Sequence, residues 1–197
     1  MSVFRKVKNQ MSLDDINPRS VESREWFNSN VETIRRGMSR DKVMRDPSVD
    51  PVTTVSPGMM YLFFYDPKGS KTLPYYDSFP LILLVDVQDN GMTGLNLHYL
   101  PIHLRQNLFY GLLNRVSDRD MNRDTYIRMT YNYLKSVGGV KEYKPCFKKY
   151  LTNHIRGNIA HIPANEWETA VHLPLALFRK ESESTVHRRS EEMIKRF

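Results

Sequence analysis

Two nearly continuous apolar runs, Met59–Tyr65 and Phe79–Val87, dominate the second quarter of the chain. Both fall far short of the roughly 20 residues of a membrane helix, and both have the length of strands. The second has almost no polar alternation, which predicts a strand buried on both faces. Between them, Asp66-Pro67-Lys68-Gly69 has the composition of a turn, and Pro74 holds Leu73–Tyr76 extended. Asp89-Asn90-Gly91 signals a tight turn, after which Gly94–Leu100 reads as a third strand. Three strands so closely spaced predict a small, bent antiparallel sheet, and a compact SH3-like barrel is one arrangement that fits.

From Pro101 the period changes. Leu104, Leu108, Leu112, Leu113 and Val116 share one helical face. A second helix is predicted over about Asp124–Val137, burying Ile127, Tyr131 and Leu134 and ending at Gly138-Gly139. A third is predicted to start at Pro145, a favoured first-turn residue, to bury Phe147, Tyr150, Leu151 and Ile155, and to stop at Gly157. Asn158–Ile162 reads as extended, Ala164–His172 as helical and Leu173–Phe178 as extended again. The expected fold class is α+β: the bent sheet followed by a bundle of three to four helices, with extended arms.

The flanks look different. Residues 1–20 show no clear period and read as an arm without its own core. A helix capped by Ser20 or Ser23 is expected to run to about Arg36 and end at Gly37. Residues 38–56 are polar and read as a linker or surface arm. Residues 179–197 are of mixed charge and read as a tail. The expected organisation is an N-terminal arm (1–57), a mixed core domain (58–178) and a charged C-terminal tail (179–197).

Composition sharpens this outline. Of 197 residues 40% are hydrophobic, with 11 Tyr, 9 Phe and 2 Trp, which excludes a disordered chain, a collagen and a coiled-coil rod. Cys146 is the single cysteine, so neither an intrachain disulfide nor a thiolate zinc cluster is expected. The basic N-terminal stretch lacks the apolar centre of a signal peptide. The formal charge is +7, and the excess is concentrated in residues 101–150, where ten Lys and Arg face four Asp and Glu.

Five cations stand out at the end of that segment: Lys141, Lys144, Lys148, Lys149 and Arg156. On a helix starting at Pro145, Lys148, Lys149 and Arg156 would fall away from the apolar stripe and place several positive charges on one exposed face, suited to phosphates, which need charge and donors but no fixed spacing. Tyr143 and Tyr150 would be placed to stack on unpaired bases at a DNA end. The alternative is a merely solvated helix face. A magnesium nuclease could be assembled from Asp86 and the Glu142-Tyr143-Lys144 triplet, but the triplet is common by chance and falls in a loop, and Asp86 reads better as a strand-end turn residue. The six histidines lack metal-ligand spacing and read as hydrogen-bonding groups. There is no phosphate-cradling glycine loop and no nucleophile elbow. No catalytic residue, metal ligand, cofactor, small-molecule substrate or membrane contact is therefore expected. The aromatic set from Tyr61 to Phe79 reads as core plus an assembly interface.

Several strings resemble a block found in virion proteins of large contractile-tailed bacteriophages. They are Tyr65-Asp66-Pro67-Lys68, the run Leu73–Leu81 (LPYYDSFPL) and the run Gly94–Pro101 (GLNLHYLP). Ser23–Phe27, Tyr143–Cys146 and Ile162–Glu168 agree with the same pattern, so the resemblance spans most of residues 23–178. It is to proteins described as DNA end protectors. It implies a non-enzymatic virion protein, assembled in the host bacterial cytoplasm, whose partners are other phage virion proteins and double-stranded DNA ends. A neck or baseplate component that binds only protein is the alternative it leaves open.

Overall fold

The computed structural model describes residues 3–10, 25, 29–30, 34, 38–116 and 123–196. The predicted helix of residues 20–37 lies almost wholly outside the described residues. Among the described residues, no helix is long and apolar enough to cross a membrane.

The chain is α+β. Among the described residues its main sheet has six strands: β1 (Asp50–Val52), β2 (Met60–Tyr65), β4 (Leu81–Gln88), β5 (Gly91–Asn96), β6 (Phe147–Leu151) and β7 (Ile155–Ile162). Their order is β1-β7-β2-β4-β5-β6, and every pairing is antiparallel. β2, β4, β5 and β6 lie side by side in chain order. A single 3₁₀ turn, Thr152–His154, then leads into β7, which returns beside β2. This is the strand order of an SH3-like sheet. Two helices, α3 (Ile102–Val116) and α4 (Arg123–Val137), are inserted between β5 and β6. A separate ribbon pairs β3 (Tyr76–Asp77) with β8 (Phe178–Arg179).

Strand alternation sorts the apolar side chains into two cores. Met60 and Leu62 of β2 and Leu81 and Leu83 of β4 enter the larger one, with Trp167, Leu108, Leu112 and Leu134. Tyr61, Phe63 and Tyr65, with Ile82 and Leu84, enter the smaller one together with Met92 and Tyr150. Both faces of β4 are covered over Leu81–Leu84, which accounts for the unbroken apolar run there. Asp86 and Val87, within the stretch also expected to be buried, are exposed, as is Gln88. Trp167 is fully buried and donates from Nε1 to the Ile162 carbonyl at 2.8 Å, so its polar edge is satisfied inside the core.

The predicted turn at Asp89-Asn90 and the helices from Pro101 and near Asp124 are all present. Among the described side chains of α4, Thr130, Tyr133, Leu134 and Val137 are buried, whereas Ile127 and Tyr131, also expected inside, are only half-buried. The helix predicted from Pro145 is not there. Lys141–Cys146 is a 3₁₀ turn containing Pro145, and Phe147–Leu151 is strand β6. Helical spacing of Phe147, Tyr150 and Leu151 fits a strand less obviously, but β6 has an edge of β5 to pair with, and ladder hydrogen bonds outweigh a weak local preference.

The flanks are also more structured than their composition predicts. Val3–Gln10 forms α1, and its Phe4 and Val7 are buried in the larger core. The carboxylate of buried Asp46 accepts from the Val3 amide, satisfying a donor at the helix start. Arg40–Met44 forms α2, capped by Ser39, whose hydroxyl accepts from the Lys42 amide at 3.2 Å. After α5 (Trp167–His172) and β8, most of the expected C-terminal tail is a helix, α6 (Glu183–Arg196). Val186 of α6 is fully buried, and α6 packs over the 3₁₀ turns at Leu97–Tyr99 and Lys141–Cys146.

Candidate nucleic-acid interface

A buried polar network fixes the ribbon of β3 and β8 against the sheet. Asp77 is its centre. Its Oδ1 accepts from the backbone amides of Phe79 (2.9 Å) and Leu177 (3.2 Å). Its Oδ2 accepts from Asn96 Nδ2 (3.1 Å) and lies 2.7 Å from His98 Nδ1. Burial pushes the Asp77 carboxyl up, but the adjacent His98 and the donated hydrogen bonds outweigh it and hold the group below the usual carboxylate range. Asn96 also donates to the Tyr150 hydroxyl at 3.0 Å. Tyr150 is thereby committed to the interior, where burial pushes its pKa up, and it is not placed to stack on a base.

A buried arginine, Arg105, ties α6 to the same region. Arg105 donates from Nε to the Leu100 carbonyl at 2.8 Å and from Nη2 to the His98 carbonyl at 3.3 Å. It also meets Glu183 of α6 at 3.4 Å. His187 of α6 approaches the same His98 carbonyl at 2.9 Å. The histidines 98 and 187 thus serve as hydrogen-bonding groups, as expected, and His172 does so beside Gln106.

The five predicted cations do not share one helical face. Lys141 and Lys144 are exposed on the 3₁₀ turn before β6. On β6 the side chains alternate, so Lys148 turns to the Tyr99 ring while Lys149 points to solvent. The Lys148 ammonium sits 4.1 Å from the centroid of that ring, and burial pushes its pKa down. Lys148 is therefore a packing cation. Arg156 is on β7, exposed, and pairs with exposed Asp66 at 3.2 Å. Tyr143 is half-buried, and burial pushes its hydroxyl up to about 12.

Asp86 is exposed on β4 beside an irregularity in the β4–β5 register and accepts from Gln88 at 3.2 Å. Glu142 and Lys144 lie in the 3₁₀ turn, on a different element. Among the described residues, no three His, Cys, Asp or Glu side chains are grouped to hold a metal ion. Cys146 is buried and donates to the Tyr143 carbonyl at 2.8 Å; burial pushes its thiol up, so it is a core side chain and not a nucleophile.

Arg156 opens onto a feature that the sequence pattern did not disclose. A cleft of ≈ 360 Å³ runs between the β2–β7 pair and the β3–β8 ribbon. Phe64 and Arg156 are cross-strand partners on one wall, and Tyr76 and Arg179 are cross-strand partners on the other. Asp66 and Ser78 complete its polar lining. Arg179 donates from Nε to the Ser78 hydroxyl at 3.3 Å, and Ser78 in turn donates to the Leu177 carbonyl at 2.9 Å. Arg179 lies 23 residues beyond Arg156, next to a stretch whose only sequence signal is its extended reading. The pairing of two-residue strands brings it into place.

The family described as phage T4 terminal DNA protecting protein matches this chain over residues 1–191. No curated protein and no solved structure matches it.

Proposed function

Since the chain belongs to the phage T4 terminal DNA protecting protein family, we propose that it binds the ends of a phage genome and shields them from exonucleases. The family match over residues 1–191 is the observation that carries this reading. The exposed cations Lys141, Lys144, Lys149, Arg156 and Arg179 support it, because phosphate contacts supply most of the sequence-independent affinity for DNA. Shielding is by occupancy of the terminus: the protein makes no bond and breaks none, and it acts in the virion beside other phage proteins.

The test is protection of linear duplex DNA from an added exonuclease, measured across salt concentrations. Protection that falls as salt rises, on DNA that stays intact with magnesium and the protein alone, is the expected result. Digestion at the unprotected rate would refute end protection, and cutting by the protein itself would refute the non-enzymatic reading.

A further inference from the structure

We propose that the cleft between the β2–β7 pair and the β3–β8 ribbon is the seat of the DNA terminus, holding the terminal phosphate between Arg156 and Arg179 and the last base against Tyr76. This rests on the end-binding reading above and assigns its site.

The first argument is the pairing of groups. Each wall presents an arginine beside an aromatic ring, because Arg156 stands opposite Phe64 and Arg179 opposite Tyr76 in their ladders. Side chains directly opposite across antiparallel strands share a face. Guanidinium forks match phosphate oxygens, and aromatic faces take unpaired bases without regard to sequence. Phe64 packs on Phe79, with ring centroids 4.6 Å apart, and Tyr65 is engaged with the Leu151 amide at 3.1 Å. Tyr76, half-buried in the lining, is the ring left to meet a base.

The second argument is availability of charge. The Arg156–Asp66 pair has side chains 63% and 52% exposed, so it is screened and weak, and a phosphate displaces Asp66 at little cost. Among the described residues, Arg179 bonds through Nε alone, to Ser78, which leaves its terminal nitrogens directed away from that bond.

The third argument is size. A volume of ≈ 360 Å³ is at the lower end of the range for small-molecule pockets, about 300–1,000 Å³. It admits one nucleotide and not a duplex. Within a duplex each base is paired and its faces are covered by its neighbours, so a one-nucleotide cleft is filled only where the stack stops and the last pair can open. Selection of ends over internal DNA follows from that shape.

The experiment compares a blunt duplex carrying 5′-phosphates with a dumbbell of the same sequence closed by hairpin loops, binding the full chain and its R156A and R179A variants. The wild type should prefer the open duplex. Each variant should bind it about tenfold more weakly, and the salt slope should fall by about 0.9 for every phosphate that the variant no longer neutralises, while binding of the dumbbell is unchanged. Tyr76→Ser should abolish the preference for the open duplex and keep the salt slope. Thermal unfolding at the wild-type temperature certifies each surface variant as folded. Folded variants that keep the full preference for open ends would overturn this site while leaving end binding standing. A wild type that binds duplex and dumbbell equally would remove both.

Discussion

Replacing Asp77 with Ala should destabilise the protein by about 4 kcal/mol or more. The side chain is 3% exposed and receives two backbone amides and two side-chain nitrogens at 2.7–3.2 Å. Each buried donor left without an acceptor costs roughly 1–3 kcal/mol, and the hole admits too little water to replace four partners. That is a large share of the roughly 5–15 kcal/mol that holds a domain together. Asp77→Asn keeps the shape and one acceptor oxygen but turns an amide against donors, so it should cost about half as much. The pH dependence has a definite sign. Because the folded carboxyl titrates below its unfolded value of about 3.9, its contribution is present above that value and is lost as pH falls through the folded one. The wild type should therefore show an acid-dependent loss of stability that D77N lacks. Urea unfolding followed by circular dichroism from neutral pH to below pH 4 measures both effects. A D77A protein within about 1 kcal/mol of wild type, or a D77N protein with the same acid slope, would refute the view of Asp77 as the charged centre of the network. Since Asp77 also anchors the amides at Phe79 and Leu177, D77N should weaken end binding through misplacement of Tyr76 and Arg179, with Arg156 still in position.

The two adjacent lysines of β6 should behave oppositely. Lys149→Glu should change stability by no more than about 0.5 kcal/mol, whereas Lys148→Glu exchanges a ring-packed cation for a buried carboxylate and should cost about 3 kcal/mol or more in thermal or urea unfolding. Gly111→Ala should destabilise by about 1–3 kcal/mol despite a better helix propensity, because the new methyl falls on the Tyr133 hydroxyl. Adding Tyr133→Phe should recover part of that stability in a double-mutant cycle. The Cys146 thiol should react with an aromatic disulfide reagent only at the rate of global or local opening, and fast labelling in the native state would contradict its burial.

The sheet was legible where one short stretch of chain carried the whole signal. The unbroken run at Leu81–Leu84 states that both faces are covered, and Asp89-Asn90 states where the hairpin turns. Legibility failed where structure depends on a distant partner. Phe147–Leu151 has apolar spacing compatible with a helix, and only the presence of β5 makes it a strand. Val3–Gln10 and Glu183–Arg196 carry few apolar residues, but Phe4 and Val186 find a core built by others. The basic cluster was visible as composition, yet strand alternation divides it, sending Lys148 inward and Lys149 outward. The cleft was not legible at all, because Tyr76 and Arg179 meet only through a two-residue pairing that spans more than half of the chain.

The return of β7 to the side of β2 has a consequence for synthesis. β2 is made well before the strand that closes its second edge, which ends at Ile162. As the chain emerges from the ribosome, β2, β4 and β5 can form a hairpin stack, but one flank of β2 stays open until β7 has followed. Open strand edges in nascent chains invite pairing with other copies, and such distant pairing is slow to form. The sheet is therefore completed only once β7 has been made, and a chain interrupted before it would present an adhesive edge.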